Sequence, residues 1–393
     1  MLTKLQCDFL SVLKSCFCNK NSIDLSPCFD FEGIFKLAGE HNLIPLIFNR
    51  IHDADSLPPQ LGEFCRQSSF SSISSQVSRQ EKFLEVYDKL IRNGINAIVL
   101  KGIILRDIYP MGDCRSSCDE DIFVPPEQAV RARQIIEDCG MGFDYGEVDE
   151  LVFSDDETRL IIELHTKFIE DFLPLEHDFE SYSNPEIKII DGTELRTLSY
   201  TENCLYIVFH IYQHLIVSGV GIRQLCDLFQ FINVYSDKID WNLFFDVLEK
   251  NKLRRFFEAL VNIGHQYLFL DERLLETEHI DVDELVEDIM SSGIHGGSEE
   301  ERSFINTYML SATQKRSDSR LLNRLRMVFP NYCIMKKRYS YINQKPFLLP
   351  VAWVNRWFRI IKNGEHKSSK KSIAKAESRL MMFFKYGILE KKD

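Results

Sequence analysis

Six residues, Asp119-Glu120-Asp121-Ile122-Phe123-Val124, constrain the fold of this 393-residue chain more than any other stretch. Their length and apolar end read as a strand, and strand side chains alternate, so Asp119 and Asp121 share one face of a sheet. Two carboxylates on one face repel unless a positive charge lies between them. A divalent cation with oxygen ligands is the usual solution, with Mg²⁺ and substrate phosphates as its commonest enzymatic form. A third carboxylate stands in Arg159-Leu160-Ile161-Ile162-Glu163-Leu164-His165, where Glu163 interrupts an apolar run that otherwise reads as a buried strand. Exposed acids on an edge strand do not explain an acid in the middle of that run.

The hydrophobic period divides the chain into three parts: an N-terminal helical region at 1–93, an α/β core at 94–195, and a C-terminal helical region with a basic tail at 196–393. In the first, apolar positions from Phe31 to Ile51 follow helical spacing with a break at Asn42 and Pro45, and a longer helix ends at Gly94. In the second, Ile95 to Leu100 reads as a buried strand and Ile103 to Tyr109 as a short helix. The Asp119 strand follows, then a helix opened by Pro125-Pro126 and running to about Cys139. Leu151 to Ser154 and Leu160 to Phe168 form a hairpin turning near Asp155-Asp156-Glu157. Ile187 to Ile190 and the turn Asp191-Gly192 close the region. The third part reads as the helices Tyr200 to Val217, Ile222 to Val234, Trp241 to Lys250 and Leu253 to Leu270. After these come a flexible loop at Ser291 to Ser298 and a last set of helices after Pro330 and Pro350.

Hydrophobic residues make up 45% of the chain, enough for a packed core, so disorder is excluded as the general state. Eleven cysteines, an odd and scattered set, point to reduced thiols and a cytoplasmic setting. Cys114 and Cys118 lack a second Cys or His pair at zinc-ligand spacing. The N-terminus reads as an amphipathic helix rather than a signal peptide. Asn203 to Ile222 carries no Asp, Glu, Lys or Arg, yet its histidines and glycines favour a buried helix over a membrane span. Net charge is −12, which disfavours an extended polyanion as partner. From Lys336 to Asp393, however, fifteen Lys or Arg face four Asp or Glu, either a solvated helix face or a surface for phosphates, nucleic acid or lipid. The segment Trp353, Arg356, Trp357, Phe358, Arg359 reads as a packed helix with a cationic rim.

The order strand, Lys101-Gly102, short helix, Arg115, Asp119-x-Asp121 with apolar residues after it, helix, then Glu163-Leu164-His165 resembles the uncharacterised nucleotidyltransferase family of the polymerase-beta-like nucleotidyltransferase superfamily. His210, His214, Arg223 and Asp227 match that family's paired histidines followed by an Arg and an Asp. The layout matches over about 31–270, with the specific motifs between Lys101 and His165. Two departures stand out. Ile103 follows Gly102 where the superfamily commonly has Ser, and Glu120 separates the aspartates where an apolar residue is usual. Alternation sends Glu120 to the opposite face, where Arg115 or a helix end is a possible partner.

The resemblance implies an α+β fold, a small mixed-sheet nucleotidyltransferase core flanked by helical regions. It also implies Mg²⁺-dependent transfer of a nucleoside monophosphate from an NTP to a hydroxyl. Asp119, Asp121 and Glu163 are then the catalytic and metal-holding residues of a site for two Mg²⁺ ions. Lys101, Gly102 and Arg115 are the nucleotide-binding candidates, although the two cations read equally well as salt-bridge partners of nearby acids. His210, His214, Arg223 and Asp227 are acceptor-side candidates, with His165 behind the carboxylates. Taken alone, the histidine pair reads as hydrogen-bonded core residues and Arg223 with Asp227 as a helix salt bridge. A small-molecule or protein acceptor suits the acidic body, and no membrane span is expected. The alternatives are a nucleotidyltransferase-fold protein that binds without turnover, or a nucleic-acid-directed enzyme using the basic tail.

Overall fold

A seven-stranded mixed sheet carries the site, and helices before and after it in sequence close around it. The structure is a computed structural model that describes residues 2–18, 29–147, 150–171, 173–217, 219–292, 341–362 and 369–389, with single positions between 329 and 339. Residues 293–298 of the expected loop, residues 336–338, 340, 363–368 and 390–393 of the basic tail, and the side chains of Trp357, Phe358 and Arg359 lie outside the described residues. Strands β1 (Ile98–Val99), β2 (Asp119–Phe123), β3 (Gly142–Glu147), β4 (Glu150–Ser154), β5 (Ile161–His165), β6 (Glu186–Ile190) and β7 (Thr193–Thr197) lie in the order β3-β4-β5-β2-β1-β7-β6. The β2–β5 and β1–β7 pairs are parallel; the other neighbours are antiparallel.

Two of these strands do not follow from the sequence pattern. β3 is a glycine-bearing, largely polar edge strand formed by its ladder to β4, and β7 has only Leu195 as an apolar residue. β7 is nevertheless placed beside β1: Leu195 is buried, and the Thr197 hydroxyl donates to the Val99 carbonyl at 2.7 Å. The first strand is also shorter than expected, two residues rather than six.

Helices α1 (Lys4–Phe17), α2 (Phe31–Glu40), α3 (Ile44–Ile51) and α4 (Pro59–Arg92) precede the sheet. Asn42, with φ 55°, breaks the chain between α2 and α3, and Gly94, with φ 75°, closes α4. Within the sheet region, α5 (Ile103–Arg106) follows β1 and α6 (Ala129–Asp138) follows β2. Beyond it come α7 (Tyr200–Val217), α8 (Ile222–Tyr235), α9 (Trp241–Lys250), α10 (Arg254–Tyr267) and α11 (Asp283–Ser292). One face of the sheet packs with α6 and the end of α4 through Phe83, Val86, Ala132 and Ile136. The larger core joins α1 to α3 with α7 to α11, so segments far apart in sequence share one apolar interior. Among the described residues no helix is long and apolar enough to cross a membrane. No disulfide joins the nine described cysteines.

Candidate active site

The parallel register of β2 and β5 sets Asp119 opposite Ile161, Asp121 opposite Glu163 and Phe123 opposite His165. Alternation then turns Asp119, Asp121, Glu163 and His165 to one face. Asp121 is buried, its Oδ1 lying 3.1 Å from His165 Nε2, and Glu163 Oε2 lies 3.7 Å from the same nitrogen. One ligand atom from each of Asp121, Glu163 and His165 falls within 4.8 Å of the other two. Burial and the neighbouring Asp121 push the Glu163 carboxyl up to about 7. Asp121 itself is held below the carboxylate range, because Lys101 and His165 outweigh its burial.

Lys101, at the end of the first strand segment, reaches the same face. Its Nζ lies 3.1 Å from Asp121 Oδ2 and 2.6 Å from His210 Nε2. Burial favours the neutral amine, but Asp121, Asp119 and Glu163 hold the ammonium and raise its pKa. His210 and His214 stand one turn apart on α7, their Nε2 atoms 2.9 Å apart. Burial and the Lys101 charge lower both, His214 to about 4, so both imidazoles are neutral near pH 7. Tyr206, one turn earlier, completes an i, i+4, i+8 row, and these groups line a cleft of about 320 Å³ with Lys101, Asp119, Asp121, Glu163 and Arg223.

The opposite face of β2 is arranged differently. Glu120 is buried, accepts from Arg106 Nη2 at 2.6 Å and from the Ile103 N–H at 2.8 Å, and so fills the start of α5. Its partners are therefore Arg106 and a helix end, not Arg115. Gly102 has φ 63°, and a Cβ there would sit 1.9 Å from Glu120 Oε2, so the glycine is required by both backbone and neighbour. Arg115, expected near the triphosphate, lines the cleft but is buried in a two-pronged pair with Asp227 at 2.7 and 2.8 Å. Tyr109 donates to the same carboxylate at 2.7 Å, and Arg115 Nη1 donates to the Gly102 carbonyl at 3.2 Å. The helix salt bridge read for Arg223 and Asp227 is not formed: Asp227 is taken by Arg115, and Arg223 donates to the Ser116 carbonyl at 2.6 Å.

A divalent cation fits this site on two observations. Asp121 Oδ2 is buried without a hydrogen-bond partner despite its closeness to Lys101. The Glu163 carboxyl, pushed up to about 7 first by burial and then by the Asp121 carboxylate beside it, lacks a full counter-charge of its own. Two carboxylates and an imidazole form a suitable donor set, with Asp119 on the same cleft wall two positions away. Arg106, Tyr109 and Arg79 were not singled out from the sequence. The first two stand in the short segment after Gly102 that already drew notice, whereas Arg79 lies on α4 with no local mark.

The fold and the carboxylate-bearing β2–β5 pair define a nucleotidyltransferase-like core. The family model described as uncharacterised nucleotidyltransferase matches residues 27–268, from just before α2 to the end of α10, and the chain belongs to that family. Membership supports nucleotidyl transfer as the general chemistry. No curated protein and no solved structure matches the chain.

Proposed function

We propose that this chain moves a nucleoside monophosphate from a nucleoside triphosphate to a hydroxyl of a small molecule or protein, releasing pyrophosphate, with Mg²⁺ as cofactor. The observation that carries the reading is the register that sets Asp121 beside Glu163 in a cleft walled by α7 and α8. Asp119, Asp121 and Glu163 are the residues to hold Mg²⁺, two ions by analogy with the superfamily. Bound there, the metal supplies charge neutralisation for the phosphates and activation of the attacking hydroxyl.

The chain's own groups do the rest. Lys101 keeps a positive charge at the centre of the cleft. Glu163, on the cleft wall beside Asp121, is placed to help take the proton of the acceptor hydroxyl. Neutral His210 and His214 present polar nitrogens to an acceptor, while Ile207 and Ile211 on the same helix limit water. One observation favours the second reading, binding without turnover: Lys101 already lies against Asp121 as an internal counter-ion.

Incubation with each α-labelled triphosphate, Mg²⁺ and a cell extract tests the proposal. Label on a protein or small molecule supports it; label on a polymer favours the nucleic-acid alternative. If no triphosphate gives label and none shifts the melting temperature with any divalent metal, catalysis is the wrong reading.

A further inference from the structure

The cations and the amide around Gly102 are already committed. Lys101 serves Asp121 and His210, Arg115 serves Asp227, and the Ile103 N–H serves Glu120. A triphosphate in the cleft therefore needs positive charge from elsewhere. Arg223 is the cation lining the cleft that has no carboxylate partner among the described residues.

Arg79 on α4 reaches the same stretch of chain. Arg223 Nη1 donates to the Ser116 carbonyl at 2.6 Å, and Arg79 Nη1 donates to the Ser117 carbonyl. Among the described residues Arg79 also meets no carboxylate, and the Nε of each guanidinium is buried without a hydrogen-bond partner. A guanidinium carries five N–H donors in a planar fork, so each keeps donors beyond its carbonyl contact. Two like charges drawn to one segment and partly desolvated, with no carboxylate in ion-pair contact and only Asp227, already paired with Arg115, acting on Arg223 from further away, are costly until an anion joins them.

We infer that Arg79 and Arg223, gripping the Ser116–Ser117 segment ahead of Asp119, form the subsite for the β- and γ-phosphates of the nucleoside triphosphate. The inference rests on the nucleotidyl-transfer reading and moves Arg223 from the acceptor side, where the sequence put it, to the donor side. Pyrophosphate then leaves toward the arginines, and the α7 histidines remain for the acceptor.

Calorimetric titration of the full chain with Mg²⁺ and ATP, GTP, CTP, UTP or inorganic triphosphate tests this, with the nucleoside monophosphates as controls. Arg79→Gln and Arg223→Gln are each expected to weaken triphosphate binding by roughly tenfold or more, as loss of a charge-assisted contact implies, and to leave monophosphate binding within about twofold. Arg→Lys variants should fall between, and they replace the Gln variants if those do not fold. Unchanged triphosphate affinity in both Gln variants, or equal losses for mono- and triphosphates, overturns the subsite and leaves the proposed function standing. A wild-type chain that binds no triphosphate overturns the function itself.

Discussion

Strand β2 presents two acidic faces that differ in how completely their charge is met. On one, Glu120 is matched by Arg106 and by the Ile103 amide, and its carboxylate holds the Gly102 turn. On the other, Asp121 and Glu163 share Lys101 and His165, one Asp121 oxygen has no hydrogen bond, and Glu163 is pushed up to about 7. Neighbouring residues of one strand thus do unlike work. A buried ion pair matched by a guanidinium and an amide defines shape, whereas a carboxylate pair sharing one ammonium and one imidazole is the proposed place for a cation.

Substitutions on the two faces should therefore separate activity from stability. The largest effect is expected from Asp121→Asn, which should lower label transfer on the order of a thousandfold while the circular dichroism spectrum stays that of the folded chain. Turnover close to wild type would remove Asp121 from the chemistry and erase the contrast between the faces.

Glu120→Ala should cost about 3–5 kcal/mol, because it leaves the buried Arg106 without its carboxylate. Glu163→Ala should cost far less. Urea denaturation of the two variants at about pH 8 is the check, and equal losses would mean that both acids are structural.

Gly102→Ala ranks next, at about 2–3 kcal/mol, from a left-handed φ together with the Cβ clash against Glu120. Part of that penalty should vanish in a Glu120→Ala background, since the clashing carboxylate is then gone. Strict additivity in the double-mutant cycle would show that the backbone alone demands the glycine.

The smallest effect concerns pH. Glu163 rises from 4.5 to about 7 in the folded chain, so the native state keeps a proton that the unfolded state releases. The stability this contributes is complete below about 4.5 and is lost as pH rises through about 7. Without metal, the unfolding free energy of wild type should fall by on the order of 1–3 kcal/mol across that window, relative to Glu163→Gln. Identical pH slopes for the two proteins would show that Glu163 is not the titrating group.

Elements with strong apolar periodicity were legible: Tyr200–Val217 and Trp241–Lys250 appear at the boundaries expected from the sequence. β3, at the sheet edge, and β7, between β1 and β6, were not, because ladder hydrogen bonds form them while their side chains carry little pattern. The three carboxylates stood out through alternation and through one acid in an apolar run. Their convergence became visible only with the parallel β2–β5 pairing.

Sequence by itself determined the class of fold and the shared face of Asp119 and Asp121, because the period of a strand fixes which of its side chains lie together. Tertiary structure alone decided the partners of the charged groups. Arg115 met Asp227 across 112 positions rather than a neighbouring acid, Lys101 met His210 across 109, and Glu120 met Arg106 instead of Arg115. Local spacing offers several counter-ions to each charge, and only packing in three dimensions selects the one that remains within reach after water is excluded.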